Sequence, residues 1–91
     1  MAPNPPVRVR IYTRRWRGYC FAARRLLTRL GVDFEEIALD GQPELPREIS
    51  DRAGNWRTVP IIFVGDRFIG GYQEAAELDR RGVLEKLCFP G

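Results

Sequence analysis

The side chains best suited to reactive chemistry are two thiols, Cys20 and Cys88. Cys20 falls in the first turn of an expected helix that follows an expected strand. A helix N-terminus carries partial positive charge and unpaired N–H donors, which stabilise a thiolate and lower its pKa below about 8.5. Arg17 at i−3 and Arg24 at i+4 lie to one side of Cys20 and would add to that shift. The same spacing fits an inert thiol packed at the edge of an apolar face, as buried free cysteines commonly are, and the spacing does not choose between the two. Cys88, directly after Leu87, is expected to be a peripheral thiol and not a catalytic one. A Cys20–Cys88 bond would need Cα atoms closer than about 7 Å, which sequence does not supply. There is no histidine, so His-dependent triads and His-ligated metals are excluded. Two cysteines are too few for a disulfide scaffold or a Cys-only zinc centre, and no metal site is expected.

The elements that must position these groups can be read from periodicity. The chain has 91 residues, 44% hydrophobic and 30% charged, enough for one small core. Residues 1–6 hold three prolines and read as a loose tail. Val7 to Tyr12 alternates apolar and charged residues, the pattern of a half-buried strand. From Gly18 to Leu30 the period changes: Ala23, Leu26, Leu27 and Leu30 share one helical face, and Gly31 ends the helix. Val32 to Leu39 reads as a second strand, followed by a turn at Asp40-Gly41-Gln42-Pro43. Glu44 to Ala53 reads as a helix with Leu45 and Ile49 facing inward. Pro60–Val64 and Arg67–Ile69 are strands joined by the two-residue turn Gly65-Asp66. Gln73 to Leu87 is a last helix, carrying Ala76, Leu78, Leu84 and Leu87 and interrupted near Gly82. The order β-α-β-α-β-β-α predicts an α/β fold: a parallel opening pair with a right-handed crossover, a closing antiparallel hairpin, and helices on both faces of one mixed four-stranded sheet.

Charge is unevenly placed. Residues 1–32 contain eight arginines and no acid, whereas the remainder carries seven basic and twelve acidic residues, net −5. Such an asymmetry bears on partners, not on fold. A basic, acid-free N-terminal third also fits a transit peptide, but a cleaved segment has no need of a core strand at Val7–Tyr12. No apolar run approaches the roughly 20 residues that span a bilayer, so no membrane association is expected.

Three short segments resemble one family. Ile11-Tyr12-Thr13-x-x-Trp16-Arg17-Gly18-Tyr19-Cys20 is similar to the strand-to-helix active-site segment of glutaredoxins. Thr58-Val59-Pro60 looks like their cis-proline loop, and Gly70-Gly71-Tyr72 like their Gly-Gly turn. Order and spacing match across residues 7–87. The resemblance implies the glutaredoxin type of thioredoxin fold over residues 7–91, a cytoplasmic monomer, and glutathione as cosubstrate. Partners would be glutathione and glutathionylated or disulfide-bearing proteins.

Glutaredoxins exchange thiols through Cys-x-x-Cys or Cys-x-x-Ser, the first Cys being the nucleophile. Here those four positions read Arg17-Gly18-Tyr19-Cys20, and a guanidinium has no thiolate chemistry. The dithiol route is therefore closed. By resemblance, Arg14 would meet the glycyl carboxylate of glutathione and Tyr19 would line the groove. Thr58, Val59 and Pro60 would hold the cysteinyl part, Val59 through its backbone. Gly71 and Tyr72 would close on the γ-glutamyl end. Gln73 stands where the family favours Asp, and losing that charge costs about 1 to 2 kcal/mol in a desolvated contact; Glu74 is the candidate to replace it. Arg17 reads as a surface remnant of a lost nucleophile, as a partner for a carboxylate of glutathione or of a protein, or as an activator of Cys20. Trp16 and Trp56-Arg57 are expected to flank the groove.

The expected activity is glutathione-linked thiol–disulfide exchange, reduced or monothiol through Cys20. The alternative is a catalytically inactive module that binds glutathione or a peptide. Nucleic-acid binding has charge in its favour but no accompanying motif, and is not expected.

Overall fold

The computed structural model describes residues 7–15, 17–41, 44–54, 56 and 58–90. The expected tail at 1–6, Trp16, Arg57 and the Gln42-Pro43 part of the turn lie outside the described residues.

The order is β1 (Val9–Thr13), α1 (Gly18–Arg29), β2 (Phe34–Ala38), α2 (Arg47–Arg52), β3 (Ile61–Val64), β4 (Arg67–Gly70), α3 (Tyr72–Arg80) and α4 (Val83–Cys88). The four strands form one sheet in the order β2-β1-β3-β4. β1 runs parallel to β2, with Val9 opposite Phe34 and Thr13 opposite Ala38. β3 is antiparallel to both β1 and β4. The hairpin turns at Gly65-Asp66, with Val64 opposite Arg67, as the two-residue turn signal requires.

Period-two alternation sends side chains to two cores. Val9, Ile11, Ile62 and Val64 pack with Ala23, Leu26 and Leu27 of α1, Ala75 of α3, and Leu84 and Cys88 of α4. Tyr12, Ile61 and Phe63 point the other way, onto Leu39, Ile49 and Ala53. β3 is buried along its whole length, which explains its unbroken apolar run. β2, paired on one side only, is mostly exposed.

Three expectations change. α2 starts at Arg47, not Glu44, because Pro46 is its N-cap and the residue before a proline is held out of the helical region. The last helix is two: Gly82 adopts φ 73° and caps α4, a left-handed conformation that favours glycine. Ala75 and not Ala76 is the buried alanine of α3. No helix among the described residues is long and apolar enough to cross a membrane.

Candidate functional site

The antiparallel register places the expected motifs at one end of the sheet. Tyr12 pairs with Ile61, so Pro60 arrives beside the end of β1, where the chain turns into α1. The Val59–Pro60 bond is cis. Ile62 pairs with Gly70, which carries Gly71 back towards Pro60. A Cβ placed on Gly71 would stand 3.4 Å from the Pro60 carbonyl oxygen and 3.4 Å from Cζ2 of Trp56. Gly70, at φ 119°, would drive a Cβ to 2.8 Å from Cγ of Glu74. Glu74 explains that closeness: its Oε1 accepts a hydrogen bond from the Gly71 N–H at 2.9 Å, fixing the start of α3. Tyr72, next along, stacks on Tyr19 with ring centroids 6.0 Å apart and planes inclined at 22°.

Tyr19, Pro60, Gly71 and Tyr72 are thus brought to one end of the sheet, with Thr58 exposed and Val59 half-buried beside them. Trp56 joins the same region, edge-on to Phe68 at 5.5 Å. Gln73 is exposed and lines a separate depression with Ile69, Glu77 and Arg80.

The head of α1 carries the departure. Arg17 is the N-cap, with no side chain capping the helix and no acid in its first turn. Its carbonyl accepts from the N–H groups of Cys20 at 3.1 Å and Phe21 at 3.3 Å. Its own side chain is exposed. Cys20 is 0% exposed, so of the two readings its spacing left open the structure agrees with the packed thiol. Burial pushes the thiol up, and this outweighs the downward pull of an Arg14 backbone hydrogen bond and of the Arg24 and Arg17 charges; Glu36 adds a smaller upward push. Desolvation disfavours the thiolate more than the helix end favours it. Cys88 is likewise no peripheral thiol. It is 1% exposed within the first core and burial raises its pKa too. Both cysteines are free.

Arg14 and Arg17 line a second space, on the β2 side of α1. This cavity, of about 570 Å³, is also walled by Arg15, Phe21, Arg24, Glu36 and Asp40. Long-range bonds fasten it: Arg14 Nη1 donates to the Leu39 carbonyl at 3.0 Å and the Arg15 N–H to Asp40 Oδ1 at 2.7 Å. Glu36 Oε2 accepts from both Thr13 Oγ1 at 2.8 Å and Arg24 Nη1 at 2.9 Å. Arg15 and Phe21 have no place in the motif reading. Phe21 had a signal, since it lies off the Ala23–Leu26–Leu27 stripe. Among the described residues no cluster of three or more His, Cys, Asp or Glu side chains is placed to hold a metal.

A cis-proline loop, a Gly-Gly turn and a helix start converging at one end of a four-stranded mixed sheet define a thioredoxin-fold protein of the glutathione-linked class. Residues 9–69 match the glutaredoxin family model. The glutaredoxin of Pseudomonas aeruginosa is 48% identical over 83 residues, covering 91% of this chain and 95% of that one. Glutaredoxin 3 of Escherichia coli is 40% identical over 79 residues, covering 87% and 94%. Among solved structures, the solution structure of glutaredoxin from Brucella melitensis superposes with a TM-score of 0.80 at 39% identity, covering 97% of this chain and 95% of that one. A buckwheat glutaredoxin–glutathione complex does so with 0.78 at 28%, covering 88% and 74%. The chain belongs to the glutaredoxin family, whose members carry out glutathione-linked thiol–disulfide exchange.

Proposed function

We propose that this chain is a glutaredoxin that has given up exchange chemistry and kept the groove, binding glutathione or the cysteinyl segment of a peptide reversibly. The observation that carries this reading is the pairing of an exposed Arg17 at the nucleophile's position with a Cys20 that is 0% exposed. Exchange needs a thiolate within reach of a disulfide sulfur, and a thiol raised by burial is neither ionised at neutral pH nor accessible. The reading with Cys20 as lone nucleophile has no support from that geometry.

In the binding reading Val59 offers its backbone to the cysteinyl part, and Thr58 and Pro60 shape that side. Gly71 leaves room for close approach, and the Tyr19–Tyr72 pair forms one wall. Arg14, tied to the Leu39 carbonyl at the end of β1, is the cation that the family resemblance sets against the glycyl carboxylate. Gln73, exposed one residue beyond Tyr72, would have to turn its amide out of its own depression to meet the γ-glutamyl end, and Glu74 is engaged at Gly71. Binding is therefore weaker than with an acid at that position.

The test is calorimetric titration with reduced glutathione beside a turnover assay on a glutathionylated peptide. Heat of binding with background turnover is expected, with Cys20→Ser indistinguishable from wild type and Arg17→Cys gaining reductase activity. Wild-type turnover abolished by Cys20→Ser would overturn the reading.

A further inference from the structure

The cavity on the β2 side of α1 shares Arg14 with the proposed groove, and the rest of its lining is its own. Pro60, Gly71 and Tyr72 stand next to β3 and β4, whereas this cavity is lined from the end of β1, the head of α1 and β2. Its wall holds four arginines, Arg14, Arg15, Arg17 and Arg24, against two carboxylates, Glu36 and Asp40. Arg24 is satisfied by Glu36 and Arg14 by the Leu39 carbonyl. The guanidinium groups of Arg15 and Arg17 make no ion pair or hydrogen bond among the described residues. Local charge is thus uncompensated and positive. Beside it stands Phe21, 57% exposed, with Arg25 over its ring at 5.9 Å. Arg17, Phe21, Arg24 and Arg25 follow at i−4, i, i+3 and i+4, so they share one helical face.

We propose that this face docks an acidic peptide segment of a partner protein, its carboxylates on Arg15 and Arg17 and an apolar side chain on Phe21. Charge complementarity identifies the occupant. A mixed wall favours a peptide over a nucleic-acid strand: Glu36 and Asp40 repel an unbroken row of phosphates but accept from peptide N–H groups. An exposed aromatic among arginines is the residue combination that concentrates binding energy at protein interfaces.

Fluorescence anisotropy at low salt tests this, using a short labelled peptide with glutamates around one leucine. Its glutamine counterpart and a single-stranded oligonucleotide serve as controls. The glutamate peptide binds, rising salt weakens it, and the glutamine counterpart does not bind. Arg15→Glu and Phe21→Ala each weaken binding by about tenfold; both positions are exposed, and unchanged melting temperatures confirm intact folding. Saturating glutathione leaves the affinity unaltered. Absence of binding, or equal binding by wild type and both variants, overturns the proposal. Displacement by glutathione also overturns it, by placing the peptide in the groove. Equal or tighter binding of the oligonucleotide overturns it in favour of a nucleic-acid surface.

Discussion

Tyr19 and Tyr72 stack at 6.0 Å with planes 22° apart, joining the first turns of α1 and α3 above the end of the sheet. Tyr19 is nevertheless 56% exposed, so the pair holds two helix starts together while presenting an aromatic surface to solvent. An offset aromatic pair is worth about 0.5 to 1.5 kcal/mol beyond its buried area. A double-mutant cycle with Tyr19→Ala and Tyr72→Ala, read by urea unfolding, should return a coupling in that range. A coupling near zero would show that the two rings meet without stabilising each other.

Arg17 is a cation at the positive end of a helix and an N-cap without an acceptor, two locally unfavourable choices. Arg17→Asp should therefore raise stability by about 1 kcal/mol, seen as roughly 4 to 8 °C in melting temperature for a domain of this size. Arg17→Cys should place a thiol there whose pKa lies below about 7.5, measured from thiolate ultraviolet absorbance. An introduced thiol titrating near 8.5 would mean that the helix end does not activate this position.

The raised pKa of Cys20 has a definite sign in pH-dependent stability. The folded state holds the proton more tightly than the unfolded chain, so the full contribution is present below the unfolded value of about 8.5 and is lost as pH rises through the folded value. Cys88 acts in the same direction. Stability should fall on the alkaline side, by up to about 1.4 kcal/mol per pH unit for each thiol. The slope should be smaller in Cys20→Ala and Cys88→Ala. Slopes identical to wild type would sink this assignment.

Gly70 combines φ 119° with a Cβ position 2.8 Å from Glu74. Gly70→Ala should cost about 1 to 3 kcal/mol from backbone strain alone and disturb the Glu74 bond to Gly71. Gly71→Ala, whose Cβ would meet neighbours at 3.3 to 3.4 Å, should cost less in stability and more in glutathione affinity. Chemical denaturation and calorimetry separate the two effects. A Gly70→Ala protein as stable as wild type would contradict the described turn.

Gln73→Asp restores the family's acid and should tighten glutathione by roughly five- to thirtyfold, the equivalent of about 1 to 2 kcal/mol. Unchanged affinity would remove Gln73 from the groove.

Much of the fold was legible because the local signals agreed with the tertiary outcome. The alternation at Val9–Tyr12 and the Gly65-Asp66 turn each carry their own geometry. The start of α2 was misplaced because Glu44 and Leu45 read as helical, and Pro46 sets the boundary instead. At Cys20 two sequence signals competed. Its place in the first turn argued for an activated thiolate, while its spacing of i, i+3 and i+7 with Ala23 and Leu27 put it on the apolar stripe. Packing decided between them, because desolvation outweighs a helix end once the sulfur is sealed. The arginine cavity was not legible. It depends on the parallel register that sets Thr13 opposite Ala38 and so brings Glu36 and Asp40 to the head of α1, a contact with no local signature.

Both thiols lie beneath the surface, at 0% and 1% exposure, and neither can be trapped as a mixed disulfide while the fold holds. In the binding role proposed above, whatever enters the groove forms no bond to these sulfurs and comes and goes by mass action. Occupancy then follows how much ligand surrounds the protein, not how oxidised its surroundings are. Within a family of thiol–disulfide exchange proteins, that proposed role would gauge abundance.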